Sequence, residues 1–387
     1  DHSLQFIIYV NEETRIVLVK PLSLDDSAGD YRAPNLLRRI LSLLKNVRPG
    51  SDLTSFQIPP LFNIPKSHLQ CYGESVYCTN NDMLSKCNNG ETSLDRMISV
   101  VTWSISTIRP LIFGVAPYNP ILGETHHVSM GSLKDLLEQV SHHPPVTALH
   151  ATDDKENIQM TWCHHAVPKF HGTTVETEVQ GKRQLKLLNH GETYVMNAPK
   201  LLLRFLPVPG VEWVGNVRIQ CLETGLQADL CYKPNSFLGL GANHRAITGK
   251  IYESSSLKTL YEIDGHWDKT VAIKDTNNGE VTIIINAKEV ISGLTTPTIK
   301  DLQGVWPSES AVVWSEVNQG VLSKDWEKAI EAKKAVENMQ RQLLRERKSR
   351  GETWHPKYFS LSYSKEDGWD CSPVQKWVPP APIVVPI

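Results

Sequence analysis

Residues 174–187 read Thr-Val-Glu-Thr-Glu-Val-Gln-Gly-Lys-Arg-Gln-Leu-Lys-Leu. Apolar and polar residues alternate up to Gln180, Gly181 breaks the run, and alternation returns around Leu185-Lys186-Leu187. A period of two puts successive side chains on opposite faces of a strand, and glycine supplies a turn. The same grammar continues on both sides. Val217–Cys221, Leu226–Tyr232, Ala246–Tyr252 and Val281–Ile285 are further short strands, punctuated by Asn189-His190-Gly191, Asp264-Gly265 and Asn277-Asn278-Gly279. From about residue 150 to 290 the chain therefore reads as an antiparallel meander, sandwich or barrel. Long helices do not alternate with these strands, which argues against Rossmann and TIM architectures.

Helical patterns flank this region, so the fold class is mainly β with flanking helices (α+β). In 34–48, Leu36, Leu37, Ile40, Leu41, Leu44 and Val47 recur at helical spacing, flanked by Arg38, Arg39, Lys45 and Arg48, and Pro49-Gly50 ends the run. Two readings stay open for it: a core-facing helix, or a mobile helix that covers an apolar cavity and touches a membrane surface. Residues 323–350 are helical again, with nine Lys or Arg against five Asp or Glu. Acidic residues lie early and basic ones late, which suits the helix dipole. Prolines keep Trp377–Ile387 extended. At the other end, Phe6–Val10 and Ile16–Val19 could form a hairpin around Asn11-Glu-Glu-Thr14. The expected organisation is an N-terminal extension (1–25), a lid segment (26–66), helices leading into a barrel (67–315), and a basic helix with an extended arm (316–387).

Composition limits the function. A net charge of −2 provides no global basic field for nucleic acid. Seven cysteines without a CxxC pair point to reduced thiols in the cytosol rather than a disulfide framework or zinc knuckle. The longest apolar stretch, Ser99–Ala116, is interrupted by Arg109-Pro110 and makes a poor transmembrane span, so membrane contact should be peripheral.

Chemical motifs are few. Three histidine doublets, His126-His127, His142-His143 and His164-His165, invite a metal site. Neighbours on a strand diverge, however, and no HExxH spacing occurs, so neither a metal nor a cofactor is expected. Cys163 beside His164 fails as a nucleophile–base pair for the same reason. Gly249-Lys250 is followed by Ile251 and does not make a phosphate loop.

The most informative segment is residues 138–145, Glu-Gln-Val-Ser-His-His-Pro-Pro. Leu133, Leu136, Leu137 and Val140 before and within it predict a short helix packed by one face. Pro144 and Pro145 then stiffen a corner that presents two imidazoles. Such a pair can donate to a phosphate monoester, or it can simply cap carbonyls. Lys333, Glu337 and Arg341, at i, i+4 and i+8, share one helix face and become a phosphate site only if the imidazoles lie opposite.

The octapeptide resembles the signature of the oxysterol-binding-protein-related family. Residues 117–125, Pro-Tyr-Asn-Pro-Ile-Leu-Gly-Glu-Thr, resemble a second family element. The basic helix, the block Trp354–Phe359, and the cover region Leu36–Phe62 ending in Pro-Pro-Leu-Phe add to the likeness. It spans about residues 33–387 and is closest to plant members without a pleckstrin-homology domain.

The resemblance implies an incomplete antiparallel β-barrel around a hydrophobic tunnel. The tunnel would hold a sterol, or phosphatidylinositol 4-phosphate in competition with it, under a lid carrying Leu36, Leu37, Ile40, Leu41 and Leu44. It implies that His142, His143, Lys333 and Arg341 hold the 4-phosphate, with Glu337 nearby and Tyr118 and Asn119 beside the glycerol phosphate. Ala116 replaces a lysine that many relatives carry, which removes one phosphate contact. The implied function is non-enzymatic lipid transfer in the cytoplasm, with peripheral contact to membranes such as the endoplasmic reticulum or Golgi. A tethering protein is not identified by any motif. A lipid sensor binding the same ligands without net transport is the alternative, and a phosphoinositide enzyme is the more distant rival.

Overall fold

A computed structural model describes residues 7–10, 16–24, 35–79, 82–235, 244–291 and 293–387. Strands β1 (Ile7–Val10) and β2 (Val17–Val19) pair antiparallel; the expected turn at 11–14 lies outside the described residues, as does 26–34 of the expected lid. Next come α1 (Leu36–Leu44), β3 (Asn63–Ser67), α2 (His68–Tyr77), α3 (Asp82–Asn89), α4 (Ser93–Ser106) and β4 (Ala116–Tyr118), which pairs in parallel with β3. Helices α2 and α4 start where the sequence supplies reciprocal caps: Ser67 with Gln70, and Thr92 with Asp95.

The main sheet follows as β5 (Thr125–Met130), β6 (Leu133–His142), β7 (Pro145–Asp153), β8 (Ile158–Phe170), β9 (Thr174–Gln180), β10 (Arg183–Leu187), β11 (Glu192–Met196), β12 (Lys200–Arg204), β13 (Gly210–Cys221), β14 (Leu226–Tyr232), β15 (Ala246–Glu253), β16 (Thr259–His266), β17 (Thr270–Asp275) and β18 (Val281–Asn286). After α5 (Ala287–Ile291), β19 (Thr298–Ile299), α6 (Ser310–Val313), α7 (Ser315–Leu322) and the long α8 (Trp326–Ser349), the chain ends in β20 (Phe359–Ser364), β21 (Gly368–Pro373) and β22 (Ile383–Val384). A β20–β21 hairpin precedes the extended arm at Trp377–Ile387, and within that arm β22 joins the sheet in parallel beside β5.

Sixteen strands form one sheet running from β18 to β19, and these two ends are not paired with each other. Long β8 and β13 each serve two neighbours. The first half of β8 pairs with β10 and its second half with β9; β13 pairs with β12 early and with β11 late. Helix α2 packs on β5–β7 while α4 packs on β14 and β18, so the sheet curls around one group of helices. The result is an incomplete antiparallel β-barrel. Its inner face is a continuous apolar core running from Val128 and Leu137 through Trp162, Leu185, Ile219 and Ala228 to Ile251 and Ile273. At the β9–β10 turn Gly181 has φ +117°, and a Cβ there would meet the Cys163 carbonyl oxygen at 1.8 Å. Only glycine fits this close approach.

The strand region begins earlier than the sequence predicts, at Thr125 rather than near 150. The predicted helix around Leu133–Val140 is instead β6, hydrogen-bonded to β5 on one side and β7 on the other. Leu133 and Leu137 fill the inner core, while Val140 packs outside against Cys163, Phe359 and Cys371. A strand buried on both faces loses its period-two pattern and imitates a helix.

Gly73 lets α2 sit tightly on the sheet: a Cβ would lie 2.8 Å from Tyr77 Cε1 and 3.0 Å from His126 Cδ2. Gly73→Val is expected to destabilise the protein by about 1–3 kcal/mol through overpacking, read as a lowered midpoint in urea with an unchanged m value.

Candidate functional site

The octapeptide forms the end of β6 and its turn into β7, and three other segments are tied to it. Glu138 points outward, and its carboxylate accepts the backbone N–H of Lys357 at 2.7 Å and of Tyr358 at 2.9 Å. Burial raises its pKa and those two N–H donors lower it. This fixes the 354–359 block, helped by Trp306, whose ring stacks on both His127 and Tyr358. Gln139 bonds through its backbone to Gly123 N at 2.9 Å and Glu124 O at 2.8 Å, so the 117–125 segment is clamped to the same strand. Glu124 is buried and accepts from Ile121 N and Trp314 Nε1; burial lifts its pKa to about 8.

His142 donates from Nδ1 to the Pro120 carbonyl at 3.3 Å, and the His143 ring stands edge-on to it at 4.4 Å. His143 is exposed and His142 half-buried. Burial, then the neighbouring imidazole, hold the His142 pKa down to about 4, so it is neutral at pH 7 in the ligand-free protein. Helix α8 reaches the same loop from the other side, where Gln340 accepts from Leu122 N at 3.3 Å. Gln340 lies seven residues after Lys333, on the same helix face, but attention to charge alone passes over it.

Along α8 the triad runs from buried to exposed. Lys333 is 8% exposed and donates to the Ile58 carbonyl and, at 3.0 Å, to Asn63 Oδ1. Asn63 in turn donates to the Ala116 carbonyl at 3.1 Å. Burial pulls the Lys333 pKa down to about 8, against the opposing charge of Glu337. Arg341 lies 3.6 Å from Glu337 and donates to Asn338 at 2.7 Å. Among the described residues no hydrogen bond joins the imidazoles directly to the triad; His142 touches the 116–122 segment at Pro120, while α8 reaches it through Gln340 at Leu122 and through Lys333 and Asn63 at Ala116.

One expected contact does not fit. Tyr118 is fully buried, stacks on Trp314 at 4.5 Å and donates its hydroxyl to Asn318 at 2.8 Å. Its polar atom is already committed inside the α7 packing and cannot serve a lipid headgroup. Asn119, just past the end of β4, is exposed. The other doublets also split between faces. His126 turns inward to Tyr77 and Glu309, whereas His127 turns outward to Trp306 and Pro379.

Helix α1 forms an apolar cluster of its own. Leu36, Ile40 and Leu44 are buried against Phe62, Phe170 and Phe205, with Leu37 and Leu41 half-buried beside them. The following segment is stitched to the end of β8 through Gly50, Ser51 and Leu53. His68 and Tyr72 of α2 and Arg183 of β10 meet on the inner side of the barrel around His164, and each keeps part of its surface accessible there.

A sequence profile described as "Oxysterol-binding protein" matches residues 39–321. The chain belongs to this family. It is 56% identical over 376 residues to oxysterol-binding protein-related protein 4C of Arabidopsis thaliana, covering 96% of this chain and 99% of that protein. Among solved structures it resembles the Osh1 ORD domain in complex with cholesterol (TM-score 0.71, 20% identity, 95% of this chain and 92% of that one). It also resembles the Osh3 ORD in complex with PI(4)P from Saccharomyces cerevisiae (TM-score 0.68, 22% identity, 91% of each chain). At these identities the two structures speak for the fold alone. Among the described residues no helix is long and apolar enough to cross a membrane.

Gly114 has φ +81°, and a Cβ there would lie 2.5 Å from Leu36 Cδ2 and 2.9 Å from Ile40 Cδ1. Gly114→Ala is expected to pry α1 from its seat at a cost of about 1–3 kcal/mol. Hydrogen exchange would show faster exchange confined to residues 36–48, with the barrel strands unchanged.

Proposed function

We propose that this chain is a non-enzymatic lipid carrier that holds a sterol inside the barrel and exchanges it for phosphatidylinositol 4-phosphate. The observation that carries this reading is the convergence of the octapeptide corner and α8 on the 116–122 segment at the barrel's rim, above an apolar interior. His142, His143, Lys333 and Arg341 would hold the 4-phosphate, Glu337 would orient the two cations or accept from inositol hydroxyls, and exposed Asn119 would meet the glycerol phosphate. An apolar interior shields a lipid whose exposure costs about 25 cal/mol per Å² of apolar area. The family membership and the neighbours crystallised with cholesterol and PI(4)P support the choice of ligands.

The bonds of Lys333 give the exchange a physical handle. Its ammonium is satisfied by the Ile58 carbonyl in the stretch that follows α1. Ile58 and Asn63 take two of its three N–H donors, so a phosphate that draws the ammonium fully to itself takes it from Ile58 and loosens the cover that α1 provides. A bond between ammonium and phosphate, both charged, is stronger than one between ammonium and a neutral carbonyl, which favours that change of partner.

Replacing His142 and His143 together by alanine is expected to weaken phosphatidylinositol 4-phosphate extraction from liposomes on the order of a hundredfold, from the loss of two charge-assisted bonds. Sterol extraction should be spared; equal retention of both activities would sink the headgroup assignment.

A pH dependence follows from His142, whose pKa is about 4 here against 6.5 in solution. A dianionic phosphate beside it favours the protonated ring, so binding takes up a proton. Affinity for the phosphoinositide should rise as pH falls from about 8 to about 6.5, before the phosphate itself takes a proton near pH 6. His142→Gln should reduce that rise, leaving the part that comes from Lys333, whose pKa is about 8. The sign is opposite for stability. The unfolded chain binds more protons between the two pKa values, so the ligand-free protein weakens as pH falls from 6.5 towards 4. Thermal melts across this range check it.

A further inference from the structure

Residues facing one another across an antiparallel sheet share a face. Leu137, Leu149, Trp162, Arg183, Met196 and Ile219 lie in one such row, and all but Arg183 belong to the inner apolar core. A guanidinium therefore stands on the inner wall of the barrel. Its Nε donates to His164 Nε2 at 3.0 Å, and its plane lies over the Trp162 ring, 4.1 Å from the centroid. That bond makes His164 an acceptor at Nε2, so its proton sits on Nδ1 and the ring is neutral.

Nη1 and Nη2 make no hydrogen bond to any described residue, although Arg183 keeps accessible surface on the inner side of the barrel. The groups around it are Tyr72 and His68 from α2, His164 and Trp162 from β8, and Tyr232 from β14. None is a carboxylate. Burial lowers the Arg183 pKa only to about 10, so it remains a cation at neutral pH. Burial keeps both phenols protonated by raising their pKa, and holds His68 neutral by lowering its pKa to about 4.

A buried, uncompensated cation with four free N–H donors in a planar fork needs an acceptor, and best an anionic one. A hydroxyl accepts one N–H and leaves the charge unpaired. A sulfate or carboxylate takes two in parallel and neutralises it. We propose that Arg183 is a specificity-determining residue, and that the barrel interior around it prefers a lipid whose leading polar group is an oxyanion over one ending in a neutral hydroxyl. This rests on the reading that the interior holds a lipid, and it names the chemistry of that lipid's buried end.

The test uses the full chain loaded with dehydroergosterol and read by energy transfer from tryptophan. Cholesterol and cholesteryl sulfate, the same ring system with different ends, are compared as displacers. In the wild type the sulfate should bind at least about tenfold more tightly, the gain expected from one charge-assisted bond pair in a low-dielectric site. Arg183→Gln, which keeps donors without charge, and Arg183→Met should bring the ratio close to one, with the larger loss falling on the sulfate. Equal or weaker binding of the sulfate by the wild type overturns the proposal without any variant, as does a preference that survives Arg183→Gln. If dehydroergosterol does not enter the protein at all, the carrier reading fails and this inference falls with it. Sterol binding without a sulfate preference sinks the inference alone.

Discussion

Glu138 holds its carboxyl group in a buried position, and that site is stable only because two backbone N–H groups of the 357–358 stretch complete its hydrogen bonding. Through this contact a strand in the middle of the sheet dictates where a segment more than two hundred residues later must lie. Gln139, the next residue along, uses its backbone to hold the 117–125 segment, and the chain then turns to offer His142 and His143. The octapeptide is thus a structural hub. Its acid end assembles the rim, and its imidazole end is presented by the rim so assembled. Trp314 and Glu124 extend the same logic inward, linking α6 and α7 to the loop that the histidines touch.

Two buried cations show how the protein divides its electrostatics. Lys333 already has neutral oxygen acceptors from Ile58 and Asn63, so its charge is tolerated with the cover in place. Arg183 has one neutral imidazole and an aromatic face, which leaves most of its donors unused. The first is poised to change partners at the rim, and the second waits for a partner inside. Each charge is costly to bury alone, and on the proposed reading each would find an anionic group of a lipid as its further partner.

Much of the β architecture is legible in the sequence because those strands are half-exposed. Thr174–Gln180 is accessible along its length and forms β9 with the bounds that its alternation predicts. Leu226–Tyr232 gives β14 with the predicted bounds although most of it is buried, and the apolar spacing of Leu36, Ile40 and Leu44 gives the buried stripe of α1. Legibility fails where both faces are buried. Leu133–His142 reads as a helix because packing on each side of the sheet erases the alternation that exposure to water would impose. The same burial hides Tyr118, whose place in the 117–125 segment is plain but whose orientation towards Trp314 is not.

The sequence alone determined which residues could do chemistry here: two imidazoles in a stiff proline corner, a stacked Lys-Glu-Arg face, and strands enough to enclose a cavity. Those are local properties of residue type and spacing, and the chain carries them wherever it folds. Only the tertiary structure decided that Pro120 and Gln340 bring the corner and the helix to one loop, that Ile58 occupies Lys333, and that Arg183 faces inward. Such facts depend on strand register and on contacts between segments far apart in the chain, and a shift of one residue would have turned Arg183 to the outer face.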